Sequence, residues 1–350
     1  EYSSKALKEA YAQGAEKFGW SKRKPEPGSM RDGHLRVGWG MATGFWDAMQ
    51  QKAAAKATLK SDGTLVIASA VTDIGTGTYT ILTQIAAETM ALPIEKVETQ
   101  IGDSKMPAAP LQGGSWTAGS VGSAVEATCK KLQEELLKQV QKMKTPEASA
   151  FKNAKIEDVE FKNEKVLLKT DSMKFVSYKD IVASTGKDVI EVEGGAAPDM
   201  KKQNKYARNT HSAVFVEVKV DEDLGTVSVT RVVNAVAAGR ILNPKTARSQ
   251  ILGGVVWGIS MALQEESFLD LAAGKFMNHN YAEYHIPVNK DINQIDVIFV
   301  EEHDDIVNPM GVKGLGEIGL VGVASAVANA IFHATGKRVR DLPITLDKLL

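Results

Sequence analysis

Residues Gly311–Gly336, GVKGLGEIGLVGVASAVANAIFHATG, constrain this chain more than any other stretch. Gly311, Gly314, Gly316, Gly319 and Gly322 crowd around a single carboxylate, Glu317. Backbone so bare of side chains is free to be pressed against another segment or against a ligand. From Leu320 the residues become small and apolar at helical spacing, through Val323, Ala326, Val327, Ala330 and Ile331, and Gly336 supplies a left-handed stop. A glycine loop feeding a helix start gathers unpaired N–H groups at the positive end of the helix dipole. A carboxylate there sits in a favourable field, and a carboxylate in a tight pocket is what general-base chemistry needs. On this stretch alone the plainer reading, an acid paired with a helix dipole, weighs about evenly.

Gly314, Gly316 and Gly319 also spell GxGxxG, the dinucleotide-binding fingerprint. That fingerprint requires a hydrophobic strand running into the first glycine and another strand after the helix. The run-in here, HDDIVNPMGVK, is polar and broken by Pro309, and little chain remains after Gly336. Nicotinamide or flavin binding through this loop is not supported.

Two further junctions repeat the theme. DIGTGTYT, residues 73–80, leads into the amphipathic stretch ILTQIAAETMAL, which Pro93 helps to end. It carries no lysine of the phosphate-binding loop type, so a nucleoside triphosphatase is not supported. GGSWTAGSVGSAV, residues 113–125, packs glycine, serine and threonine ahead of a long helix. Three glycine loops at helix starts point to a large polar, anionic ligand gripped by backbone.

Composition removes several alternatives. Lys plus Arg (42) nearly balance Asp plus Glu (43), which leaves no electrostatic footprint for nucleic acid. No apolar run reads as a membrane span, and no targeting signal is visible. One cysteine, Cys129, excludes an internal disulfide, a four-cysteine zinc site and an iron–sulfur cluster held by this chain alone. The six histidines form no HExxH or close pair, so no protein-ligated metal is expected. The chain opens on Glu1 rather than Met, the pattern of a processed chain or a part of a longer one.

The remaining residues read as mixed strands and helices, an α+β (mixed α/β) fold of β-hairpins and sheets packed with helices. A helix is expected over 2–19, capped by Ser3 or Ser4, with Leu7, Tyr11, Ala15 and Phe18 on one face. HLRVGWGMATGFW reads as a strand in which Gly38, Gly40 and Gly44 mark either a close approach or a bulge. Hairpins are expected over 53–72, over 212–236 and, last, over 276–300; a helix with Gln250 and a Gly253–Gly254 pair spans 245–263. Residues 146–206 are charged and read as a small insertion-like region. The expected division is 1–145, 146–206 and 207–350.

GVKGLGEIG with its helix and RVRDLPIT ending, DIGTGTYT, GGSWTAGSVGSAV and RILNPKTARSQILGGVVWGISMALQEE together resemble the molybdenum-binding subunit of the xanthine dehydrogenase/aldehyde oxidase family. The likeness is greatest to bacterial periplasmic-type aldehyde oxidoreductases. It covers nearly the whole chain and corresponds to the second half of that subunit. It implies molybdopterin, in the cytosine dinucleotide form, with molybdenum held by the pterin dithiolene and by no protein side chain. By position it implies cofactor contacts at Gly75, Thr76 and Gly77, at Thr117, Gly119, Ser120, Val121, Gly122 and Ser123, and at Gln250, Gly314 and Gly316. Glu317 matches the catalytic base, and Met41, in GWGMA, lines up with a substrate-pocket position. Where many members carry GQG, this chain carries Gly75-Thr76-Gly77, which removes a glutamine hydrogen bond to the cofactor.

The implied activity is hydroxylation of an aldehyde with water-derived oxygen. The alternatives are a purine or other N-heterocycle as substrate, and a cofactor-free assembly domain. The resemblance further implies partners: the other half of the molybdenum subunit, and iron–sulfur and FAD-bearing subunits, without which this chain does not turn over. Either cytoplasm or periplasm suits it.

Overall fold

Glycine decides what can lie on the first long strand, Leu35–Asp47. In the computed structural model, which describes residues 1–349, a β-carbon at Gly38 would lie 1.9 Å from the carbonyl oxygen of Ala330, and one at Gly40 would lie 2.2 Å from that of Ala326. Gly44 meets Val321 O in the same way, at 2.5 Å. Of the two readings these glycines allowed, the structure selects close approach, by the backbone of the C-terminal helix at Gly38 and Gly40 and by the segment just before it at Gly44.

In chain order the main elements begin with α1 (Leu7–Phe18), β1 (Leu35–Asp47), β2 (Ala53–Lys60), β3 (Leu65–Ser69), α2 (Thr78–Met90), β4 (Val97–Ile101) and α3 (Ser123–Lys142). Next come β5 (Val159–Lys162), β6 (Lys165–Leu168), β7 (Asp171–Ser177), α4 (Tyr178–Ser184) and β8 (Val189–Ala196). The last are β9 (Asn209–Asp221), β10 (Thr226–Ala237), α5 (Pro244–Leu263), β11 (Gln294–Phe299) and α6 (Val323–Thr335). They fall into two compact units. The first comprises 1–48, 206–304 and 313–350, and the second comprises 49–205 and 305–312. Both are discontinuous, an arrangement that a division of the chain into consecutive segments does not produce.

The first unit is built on the sheet β1-β9-β10-β11, with a two-residue strand, Arg31–Asp32, beyond β1. β1, β9 and β10 pair antiparallel. β11 joins β10 in parallel, so the expected last hairpin does not form; residues 264–293 carry only the two-residue pairing of Leu269–Asp270 with Lys275–Phe276. One sheet face buries Val37, Trp39, Phe215 and Val233 against Ala10 and Phe18 of α1. The other buries Val214, Val216 and Val232 against Ile251 and Val255 of α5 and Ala326, Ala330 and Ala334 of α6. The buried stripe of α1 is Ala10, Gly14 and Phe18, not one led by Leu7. Its N-cap is Ala6, because Ser3 and Ser4 are drawn away to the carboxylate of Asp304. The helical stretch Glu317–Thr335 is long and apolar enough to cross a membrane, which corrects the expectation that no apolar run reads as a span; half of it is buried, and its apolarity serves the contact with β1.

The second unit carries the sheet β4-β3-β2-β8, in which β3 pairs antiparallel with β2 and parallel with β4. Alternate residues of β2, Ala53, Ala55, Ala57 and Leu59, are buried, the period expected when one face is covered. Helices α2 and α3 contribute Leu82, Met90, Leu132 and Leu136 to the same interior. Cys129 of α3 is fully buried, and burial first, then the charge of Glu126, pushes its thiol up to about 12. The charged region is less peripheral than expected. β8 is a strand of the main sheet, β5-β6-β7 form a small antiparallel sheet, and fully buried Tyr178 donates its hydroxyl to Met90 O at 2.8 Å.

Candidate functional site

Glu317 stands in a short 3-10 turn, Glu317–Gly319, that precedes α6 rather than beginning it. Gly322 sits between them with φ 90°, where an L side chain would be strained. The turn closes on itself through Leu320 N–H and Val321 N–H, both donating to Glu317 O at 3.0 and 3.3 Å. It is held against α5 by two glycines. A β-carbon at Gly254 would lie 2.6 Å from the carbonyl carbon of Gly319, and one at Gly319 would lie 3.1 Å from Ile251 Cα. Gln250 precedes Ile251 and shares the helix face of Gly254, one turn earlier. The first unit therefore brings the Gln250 end of α5 to the turn that carries Glu317, Gly316 and, just before them, Gly314.

The surroundings are polar where they need to be. The Gln250 side-chain amide, half-buried, has no hydrogen-bond partner among the described residues. Gly253 has open space where a β-carbon would project. Beneath the turn, the buried Asn234 donates from Nδ2 to Gly319 O at 3.4 Å, and its Oδ1 has no partner. Buried Thr210 donates its hydroxyl to Gly314 O at 2.6 Å.

Met41 is not part of this corner. Its side chain packs with Val37 and Trp39 on the α1 face of the sheet, whereas Ile318 of the Glu317 turn lies in the cluster on the opposite face. Strand alternation is the reason, since odd and even positions of β1 face opposite ways.

The other predicted residues belong to the second unit. Gly75, with φ 102°, and Gly77, with φ 85°, shape a loop whose N–H groups converge on one acceptor, the carboxylate of Asp73. Asp73 Oδ1 accepts from Gly75 N at 2.9 Å and Thr76 N at 3.0 Å, and Asp73 Oδ2 accepts from Tyr79 N at 3.3 Å. Partial burial pushes this carboxyl up, but the N–H donors of Gly75, Tyr79, Gly77 and Thr76 outweigh it and hold it below the usual range. The sequence reading named the glycines and missed Asp73. An aspartate two residues ahead of Gly-x-Gly at a helix start was the available signal.

Thr117–Ser123 enters α3 through a single π turn, Ala118–Gly122. Gly119, Ser120, Val121, Gly122 and Ser123 are buried. Ser120 Oγ accepts from Gln51 N at 2.8 Å, Ser123 donates to Gly119 O at 2.7 Å, and Thr117 donates to Gln112 Oε1 at 2.5 Å. A β-carbon at Gly122 would meet Met310 and Ile85 at 2.8 and 2.9 Å, so that glycine serves packing. No group of three or more His, Cys, Asp or Glu is placed to hold a metal ion among the described residues.

Solved structures share this fold. Quinoline 2-oxidoreductase from Pseudomonas putida 86 matches 99% of this chain and 45% of its own with a TM-score of 0.86 at 18% identity. The aldehyde oxidoreductase of Desulfovibrio gigas matches 100% of this chain and 36% of its own with a TM-score of 0.76 at 22% identity. At such identities the likeness establishes the fold. Sequence establishes the family: residues 13–293 match the molybdopterin cofactor-binding domain, and the chain belongs to that family. Among its relatives, the aldehyde oxidoreductase molybdenum-binding subunit PaoC of Escherichia coli (strain K12) is 42% identical over 349 residues, covering 100% of this chain and 45% of that protein. A putative xanthine dehydrogenase molybdenum-binding subunit XdhA of the same strain is 30% identical, covering 99% and 46%. The chain thus spans a little under half the length of these relatives.

Proposed function

We propose that this chain is the base-bearing part of a molybdenum oxidoreductase that converts aldehydes to carboxylates with oxygen derived from water. The observation that carries the reading is the corner formed where Gly254 and Gly319 touch, which sets Gln250 and Glu317 on adjoining backbone.

The residues fit a pterin cofactor in specific ways. The unpartnered Gln250 amide can bond a heterocycle edge, and open space at Gly253 admits a ligand close to backbone. Gln250, Gly314 and Gly316 of the first unit are the residues that would hold it, in its cytosine dinucleotide form. When bound, molybdenum on the pterin dithiolene supplies the two-electron redox chemistry. Glu317 supplies the proton acceptor: it removes a proton from the water-derived nucleophile, which otherwise attacks a carbonyl carbon poorly. The net change is aldehyde plus water to carboxylic acid, two protons and two electrons. The electrons leave through iron–sulfur and flavin groups on partner chains, and the rest of the molybdenum subunit completes the pocket. Aldehydes are favoured over purines because the relative at 42% identity is named for an aldehyde and the one at 30% for xanthine.

Metal and pterin analysis of the protein co-purified with its native partners tests this reading. About one molybdenum per copy with released pterin, together with aldehyde turnover faster than purine turnover, is expected. Absence of molybdenum from the intact assembly overturns it.

A further inference from the structure

Lys313, four residues before Glu317, has its side chain wholly out of water. Its ammonium lies 3.2 Å from Glu302 Oε2 and 3.2 Å from Asp304 Oδ2. It also donates to Ser4 Oγ at 2.6 Å and to Asn209 O at 3.0 Å. The carboxylates are themselves held. Glu302 accepts from Ala6 N at 3.1 Å and Gly239 N at 3.0 Å, and Asp304 accepts from Ser3 Oγ at 2.6 Å. The Lys313 backbone adds a bond from its N–H to Ala238 O at 3.2 Å. One side chain thus joins stretches of the first unit around residues 4, 209 and 302–304, which are remote from one another in sequence.

A buried ion cluster of this kind is a poor device for stability, since apolar residues of similar volume often serve as well or better. What it does provide is direction. Three ammonium donors with fixed acceptors set where residue 313 lies, whereas an apolar side chain could slide. Directly after it come Gly314 and Gly316, which have no side chains to set the register of the approach, while Ile318 beyond them is buried in the core. Thr210 grips the turn at Gly314 O, and Gly254 presses on its far end at Gly319. Glu317 is suspended between those two points.

We propose that Lys313, acting with Thr210, is the positioning residue for Glu317, setting the entry of the glycine turn so that the carboxylate is presented at one place. The proposal rests on the role of Glu317 as base.

The test uses the assembled enzyme with Thr210→Val, Thr210→Ser and Lys313→Met, read by amide hydrogen exchange and by steady-state kinetics. In Thr210→Val, exchange at Gly319, Leu320 and Val321 should rise about tenfold while the amides of α6 keep their parent rates. In the same variant kcat should fall with KM and molybdenum content unchanged. Thr210→Ser, which keeps the hydroxyl, should restore both. Lys313→Met should do the same more strongly; because it strands two buried carboxylates and can fail to fold, Thr210→Val decides. Unchanged exchange in the folded Thr210→Val protein overturns the proposal, and so does faster exchange with undiminished kcat. If Glu317→Gln, prepared in parallel, keeps full turnover, the assigned base is wrong, while the exchange result still reports on the clamp.

Discussion

Gly254 of α5 and Gly319 of the Glu317 turn lie backbone against backbone, so close that a single added methyl group at Gly254 would sit 2.6 Å from the Gly319 carbonyl carbon. The adjacent Gly253 points into open space. Two neighbouring glycines on one helix are therefore expected to respond in opposite ways. Gly254→Ala must push the turn away and should destabilise by about 1–3 kcal/mol. Gly253→Ala only removes unfolded-chain freedom and should stabilise by about 0.5–1 kcal/mol. Thermal unfolding of the two variants settles the contrast; equal shifts of the same sign would show that the contact does not bear on the fold.

Glu317→Gln should leave folding and cofactor content intact and reduce aldehyde turnover by about 10²–10⁴-fold, the usual contribution of a general base. The amide keeps the shape of the side chain and loses the proton-accepting oxygen. Turnover near the parent value would remove Glu317 from the chemistry.

Asp73 organises its loop by accepting N–H bonds from Gly75, Thr76, Gly77 and Tyr79. Its folded carboxyl lies below the ordinary range, so the stabilisation is present above the unfolded value of about 4 and is lost as pH falls through the folded value. Asp73→Ala should cost about 0.5–2 kcal/mol, as loss of a helix-start acceptor does. Denaturant titrations of parent and variant, compared at neutral pH and at pH 3, should show the gap narrowing in acid. A gap independent of pH would mean that the charge is not what holds the loop.

His211 is buried, with Nδ1 unpartnered and its ring edge-on to Tyr2 at 5.5 Å. Burial first, then the Lys313 cation, pushes it down to about 4; Glu302 opposes this and Lys5 adds to it. Its folded value lies below the unfolded one of about 6.5, so the unfolded chain binds more protons between those values. Stability therefore falls as pH drops from about 6.5 towards 4, by up to about 3 kcal/mol from this group. His211→Asn should flatten that part of the stability–pH curve. An unaltered slope would show that the imidazole is protonated in the folded protein.

Much of this architecture is legible in one dimension. The alternation in residues 53–59 and the helical spacing from Val323 to Ile331 are direct consequences of one-sided burial, and periodicity reports them without knowledge of the partner. The glycine loops and Glu317 were legible for the same reason, because composition within a dozen residues restricts what backbone can do there. The face occupied by Met41 was not, since motif order does not say which way a strand residue points. The last strand was misread because β11 pairs in parallel with a strand some sixty residues away, Arg231 with Gln294, and local turn signals carry no information on that choice.

The sequence by itself determined most of the long helices and strands, the family and the one carboxylate set among glycines, since these follow from local chemistry and residue spacing. Only the tertiary structure decided that Gly38 and Gly40 make room for a helix, and that Lys313 lies among Ser4, Asn209, Glu302 and Asp304. Each of those depends on which distant segments meet. Such meetings are fixed by packing summed over a whole unit, which no short stretch of sequence contains.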